Sequence, residues 1–280
     1  MQVNSRLAAL GAIVLWSSLA SLATLIPDVP VFLKTGIGLL IGSVIALPLA
    51  RFQPRQLLVR PKILLLGVYG LFGYHAALFF ALGSSPSVQA NLVNYLWPLL
   101  IVLLAPLFSN KLKLSIRMVL GGLMGFLGAA LAILSGSSSD GVFYPGYLFA
   151  FLAAIIWSTY SLATNRIGSF PTPAVGLFAL VAGILSLAMH FLFETQVSLS
   201  SFEWMILVLL GIGPLGAAFY FWDYAIKRGN PQEIGLLSFL TPLLSTCLLL
   251  FVTGQAASWL LAISAALIIG GSLLGRARQV

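Results

Sequence analysis

The polar side chains able to hold a ligand are few, and most of them fall in one run. Gln89-Ala-Asn91-Leu-Val-Asn94-Tyr95-Leu-Trp97-Pro98 sets amide, phenol and indole groups inside an otherwise apolar stretch. Asn91, Asn94 or Tyr95, and Pro98 recur at helical spacing and so share one face, with Trp97 on its flank. An amide in an apolar setting is costly unless hydrogen-bonded. It suits either a helix–helix contact, an option open for Asn91, or the polar groups of a solute. A second group, Gly73-Tyr74-His75, adds a phenol and an imidazole. The chemistry on offer is binding rather than bond-making. His75 and His190 stand on separate stretches with no carboxylate partner visible, and no spacing of metal-site type appears. No catalytic residue, metal ligand or cofactor is therefore expected, and a membrane enzyme acting on lipid is the disfavoured alternative.

The elements that carry these groups follow from composition. Hydrophobic residues make up 60% of the 280 and charged residues 7%, with a mean hydropathy of +1.07. Soluble domains carry roughly 25% charged residues, so too few charges are present to build a water-facing surface. A span needs about 20 apolar residues. Ten such stretches fit, near 6–26, 31–50, 62–82, 87–108, 116–134, 145–166, 171–193, 203–226, 232–252 and 257–275. The fold expected is an all-α membrane protein of ten transmembrane helices. The sizeable loops left are 51–61, 135–144 and 194–202. The one cysteine, Cys247, excludes an intrachain disulfide. The run from Leu7 to Ile26 is too long for the h-region of a signal peptide, about 7–15 residues, and has a counterpart in mid-chain, so it is expected to stay as a span.

Charge gives the orientation. With the N-terminus in the cytoplasm, the inside holds Arg6, Arg51, Arg55, Arg60, Lys62, Lys111, Lys113, Arg117, Arg166, Lys227, Arg228, Arg276 and Arg278, which is 13 of the 14 basic residues. Lys34 alone falls outside, with Asp28, Asp140, Glu194 and Glu203. This positive-inside asymmetry places both termini in the cytoplasm. It also accounts for the net charge of +8, so no nucleic-acid partner is expected; the partners are the lipid bilayer and a small solute.

The chain also repeats itself. The segment from Leu7 through Trp16 to Ser18 resembles the one from Leu148 through Trp157 to Thr159, at an offset of 141. Pro86 pairs with Pro231 and Pro98 with Pro242, at offsets of 145 and 144, each pair bracketing the fourth or the ninth span. The fifth and tenth spans are glycine-rich. Two units of five helices, 1–140 and 141–280, are expected. Five is odd, so the second unit enters the membrane from the opposite side, an inverted repeat common in secondary transporters. Pro98 and Pro242 lie near mid-span, and each frees the carbonyl four residues back, at Asn94 and Ser238. Such carbonyls need a partner or a watered cavity, which makes these prolines, with Pro86 and Pro231, candidate helix breaks or hinges.

Tryptophan depth adds to this. Trp204, Trp222 and Trp259 lie near span ends, where aromatic belts belong. Trp16, Trp97 and Trp157 lie about 15 Å deep, either packed between helices or lining a cavity. No Asp, Glu, Lys or Arg stands at mid-span; Asp223 is close, but near the cytoplasmic end with Lys227 at i+4, a salt-bridge spacing. The absence argues against direct proton coupling and a strongly cationic cargo, and suits a neutral or zwitterionic solute.

Ten spans, two five-helix halves and proline-broken fourth and ninth spans resemble the drug/metabolite transporter superfamily in its EamA-like branch. The runs Gly73-Tyr74-His75 and Asn94-Tyr95-Leu96-Trp97-Pro98-Leu99 are similar to those of bacterial aromatic amino-acid exporters of the YddG type. The resemblance implies an inner-membrane exporter of amino acids with loose selectivity and a largely hydrophobic central cavity. It implies that Tyr74, His75, Tyr95, Trp97 and Trp157 line that cavity. Trp16, the repeat counterpart of Trp157, and the amides Asn91 and Asn94 are further candidates on their own placement in the sequence. The expected function is amino-acid export by alternating access, with other small metabolites or quaternary amines as the alternative cargo.

Overall fold

The computed structural model describes residues 4–134, 142–254 and 258–275. The charges Asp140, Arg276 and Arg278 and the first part of the 135–144 loop lie outside the described residues. The helices are α1 Ser5–Thr24, α2 Val31–Leu49, α3 Pro61–Gly83, α4 Ser87–Phe108, α5 Ile116–Leu134, α6 Gly146–Ala163, α7 Thr172–Phe193, α8 Ser201–Arg228, α9 Pro231–Val252 and α10 Trp259–Leu274. Among the described residues the first nine are long and apolar enough to cross a bilayer; α10, at 16 residues, is shorter. No strand occurs among them. Each end lies within three residues of the sequence-based expectation. Large apolar side chains on the outside, such as Phe191, Phe193 and Phe251, are what lipid rather than water would cover. The protein is an all-helical, multi-span membrane protein.

Local chemistry sets the ends. The Asn4 side chain accepts from Arg6 N–H at 2.9 Å and starts α1. Ser200 and Glu203 form a reciprocal capping box on α8, and Asn230 accepts from Gln232 N–H just before Pro231 at the first position of α9.

Two kinds of irregularity recur at matched places. The α4 helix is interrupted at Tyr95 and Leu96, and α9 at Ser238 and Phe239, each just before the deep proline. A proline lacks the N–H and its ring crowds the carbonyl four residues back, so the helix tightens and restarts: Leu96 N–H reaches Val93 O, and Phe239 N–H reaches Leu236 O. Pro86 and Pro231, expected among the breaks, instead sit at helix starts, where the missing donor costs nothing. The sequence does not announce the second irregularity. Five-residue π-helical turns, Tyr69–Gly73 in α3 and Gly213–Ala217 in α8, lie 144 positions apart. Such turns re-aim the residues that follow and recur at functional sites.

Helix pairing follows the same division. The helix α2 packs on α7, α5 on α10 and α4 on α9; α1 packs on α8 as α6 does on α3, and α1 on α9 as α6 does on α4. Exchanging the first five helices with the last five maps every one of these pairs onto a pair in contact.

The α5–α10 seam is built backbone on backbone. A Cβ on Gly121 would lie 2.4 Å from the Gly271 carbonyl oxygen, and one on Gly271 would lie 2.5 Å from the Gly121 carbonyl oxygen. Ser264 Oγ donates to the Gly128 carbonyl across the same seam at 2.7 Å. Small residues of this kind let membrane helices approach closely. Gly271→Val is expected to lower stability by about 1–3 kcal/mol through overpacking, seen as a lower melting temperature of the detergent-purified protein. An unchanged melting temperature would mean that α10 shifts aside freely.

Candidate functional site

The depth of Trp16, Trp97 and Trp157 is matched by their meeting in space. Trp16 on α1 lies 6.3 Å from Trp97 on α4 and 5.6 Å from Trp157 on α6, ring centroid to centroid, and Trp97 lies 6.5 Å from Trp157. A fourth indole completes the group. Trp222 on α8 is 5.2 Å from Trp16, 5.4 Å from Trp97 and 6.1 Å from Trp157, stacked on the last at 30°. Expected in the interfacial belt, Trp222 is instead 1% exposed. The reason is that α8 runs on to Arg228 and the chain beyond Trp222 is itself packed, with Asp223, Ala225 and Ile226 all buried. Its indole N–H donates to Ser161 Oγ at 3.0 Å. Trp204 and Trp259 stay exposed, as a belt requires.

The α3 helix closes one flank. Its π turn ends at Gly73, and Tyr74 and His75 follow with their rings turned inward. Tyr74 is 5.4 Å from Trp157 and 5.1 Å from His75. His75 lies 6.1 Å from Phe219, which touches Trp16 and Trp157. His75 Nδ1 is 2.6 Å from the Leu71 carbonyl inside the π turn. A carbonyl only accepts, so Nδ1 carries the hydrogen of that bond. Most ring pairs are edge-on or tilted, the arrangement the ring quadrupoles favour.

Asn94 joins through Tyr74: its Nδ2 donates to the phenol oxygen at 3.1 Å. Asn94 is buried, and its Oδ1 has no hydrogen-bond partner among the described residues. Tyr95 stands at the α4 break and makes no ring contact with the tryptophans among the described residues. Asn91 is half-buried one turn before Asn94. The structure thus gathers Trp16, Trp97, Trp157, Tyr74, His75 and Asn94, and adds Trp222, Phe219 and Tyr160, the last 5.4 Å from Trp157. Phe219 was within reach of the sequence, since it lies 144 positions after His75, the offset of the proline pair.

Polar ties join the helices away from the cluster. Arg6 meets Glu233 at 2.7 Å, linking the starts of α1 and α9. Asp223 and Lys227 pair at 2.8 Å; Thr172 Oγ1 donates to Asp223 Oδ2 at 2.7 Å, and Lys227 Nζ donates to the Phe170 carbonyl and sits over the Phe170 ring. Elsewhere Glu194, after α7, accepts from the Phe32 and Leu33 N–H groups at 2.9 and 3.2 Å, where its charge meets the positive end of α2. His190, expected without a carboxylate, donates to that same Glu194 at 2.9 Å; the i+4 spacing was the overlooked signal. No group of three or more His, Cys, Asp or Glu side chains suited to a metal ion occurs among the described residues.

The chain is similar to known proteins along nearly its whole length. The EamA-like transporter family matches the chain twice, at residues 5–134 and 144–275. The aromatic amino acid exporter YddG of Ancylobacter novellus is 43% identical over 269 residues, covering 93% of each chain. The protein of the same name from Escherichia coli is 28% identical over 284 residues, covering 94% of this chain and 93% of its own. A solved crystal structure superposes with a TM-score of 0.90 at 41% identity, over 97% of this chain and 96% of that one. With ten apolar helices among the described residues, paired irregularities and two successive family matches, the chain belongs to the EamA-like transporter family and is a multi-pass membrane transporter.

Proposed function

We propose that the protein exports aromatic and other neutral amino acids across the bacterial inner membrane, with broad selectivity. The observation that carries this reading is the uncharged box of four indoles where α1, α4, α6 and α8 meet, flanked by Tyr74, His75 and Asn94. Indole faces accept a flat or apolar side chain with little regard to its identity, while the amide, phenol and imidazole serve the polar end. The names of the relatives at 43% and 28% identity point to the same cargo. Asn91, one turn before Asn94, and Tyr95, at the break that follows it, are further candidates on α4.

Transport proceeds by alternating access. The halves, 1–140 and 141–280, form an inverted pair with both termini in the cytoplasm; the basic residues favour this topology, and the pairwise exchange of helix contacts fits it. In the state described the indoles fill their own junction. Moving one half against the other, with α4 and α9 flexing at Pro98 and Pro242, opens room for a ligand ring.

The test is entry of labelled phenylalanine or tryptophan into liposomes holding the pure protein, with and without a pH gradient. No entry above empty liposomes overturns the proposal. Trp97 touches Trp16, Trp157 and Trp222, so Trp97→Ala is expected to slow the initial rate by about tenfold or more, equivalent to ~1.4 kcal/mol. An unchanged rate removes Trp97 from the site.

A further inference from the structure

We infer that Asn94 Oδ1 is the acceptor for the ammonium group of the transported solute, which makes Asn94 the residue that selects amino acids over their deaminated acids. The inference rests on the export reading above and gives one atom of that site a task. Asn94 is 3% exposed, and its Oδ1 is an amide oxygen without a partner among the described residues. Buried acceptors are nearly always bonded, and in a membrane helix no lipid group can repair the deficit. The atom is fixed in place. Asn94 Nδ2 donates to Tyr74 Oη at 3.1 Å, and the residue ends the first segment of α4, where the helix is interrupted.

The chemistry around it selects the donor. Tyr74 is in ring contact with Trp157, so Oδ1 stands one ring away from the indole box. A solute whose ring enters the box brings its α-substituents to that distance. Of those substituents only the ammonium is a pure donor; a carboxylate would face the amide oxygen lone pair to lone pair. Indole faces nearby favour a cation, and no carboxylate side chain stands among the cluster residues to make the site ionic. A neutral acceptor beside rings holds a zwitterion's ammonium without trapping it.

The experiment uses the full chain in proteoliposomes and three probes competing with labelled phenylalanine: phenylalanine itself, phenethylamine, which lacks the carboxylate, and 3-phenylpropionate, which lacks the ammonium. In the wild type, 3-phenylpropionate should compete at least about tenfold more weakly than phenylalanine, the scale of one lost charge-assisted hydrogen bond. In Asn94→Leu that gap should shrink to about threefold or less. Asn94→Asp keeps the acceptor and adds charge, so it should strengthen phenethylamine relative to 3-phenylpropionate by about tenfold or more; this second variant decides the matter if the leucine variant does not fold. A gap that survives in Asn94→Leu, a ratio unmoved in Asn94→Asp, or a loss that falls on the carboxylate instead overturns the assignment. If labelled phenylalanine fails to enter wild-type liposomes, the export reading fails first and this assignment falls with it.

Discussion

Lys227→Met is expected to destabilise the protein by about 3–5 kcal/mol, because it strands a buried carboxylate. The Asp223 side chain is 1% exposed and that of Lys227 15%. The lysine also bonds the Phe170 carbonyl and covers the Phe170 ring, so it ties the α6–α7 connection to α8. Without it, Asp223 keeps among the described residues only the hydroxyl of Thr172, too little to hold an ion out of water. The double variant Asp223→Leu/Lys227→Met removes both charges and should recover most of the loss, since well-packed apolar residues replace a buried pair at little cost. Thermal unfolding of the three detergent-purified proteins checks this. If the single and double variants melt together, the pair does not carry the stability assigned to it.

Trp157→Ala should have the other large effect. Its ring touches those of Trp16, Trp97, Trp222, Phe219, Tyr160 and Tyr74. Truncating a buried aromatic costs about 3–5 kcal/mol through lost contact and the cavity left behind, and here the ring pairs lost on every side place it at the upper end. Transport of labelled tryptophan should fall to the background of empty liposomes. Trp157→Phe separates the two effects: it restores much of the packing, so its melting temperature should lie near the wild type, while its rate stays reduced. A phenylalanine variant as fast as the wild type would make Trp157 a packing residue only.

Much of this was legible in the residues. Spans were readable because a bilayer allows few alternatives to helices of about 20 apolar residues. The breaks in α4 and α9 were readable because proline states its own effect on backbone hydrogen bonding. Trp16, Trp97 and Trp157 were separable from belt residues by counting depth. Trp222 was not, because depth by counting assumes that each span ends at the lipid surface, whereas the last turn of α8 is packed under the 170–172 connection through Asp223 and Lys227. The π turns left no mark either: a single added residue in a helical turn shifts the face of everything after it without altering composition. That shift is why Tyr74 and His75 could be chosen by type but not aimed. Glu194 reads from the sequence as a loop charge, yet it binds α2 across 162 positions of sequence, a contact that periodicity cannot register.

One consequence of the indole box is electrical. The rings, the phenol and the amide around it carry no formal charge, and the nearby Asp223–Lys227 pair sums to zero. A zwitterion moved through such surroundings displaces no net charge from one leaflet to the other. Each unit of charge crossing 100 mV involves about 2.3 kcal/mol of work; for the zwitterion of the proposed export, moved without a companion ion, that work vanishes. For that cargo moved alone, the voltage across the membrane would neither pull it out nor hold it in.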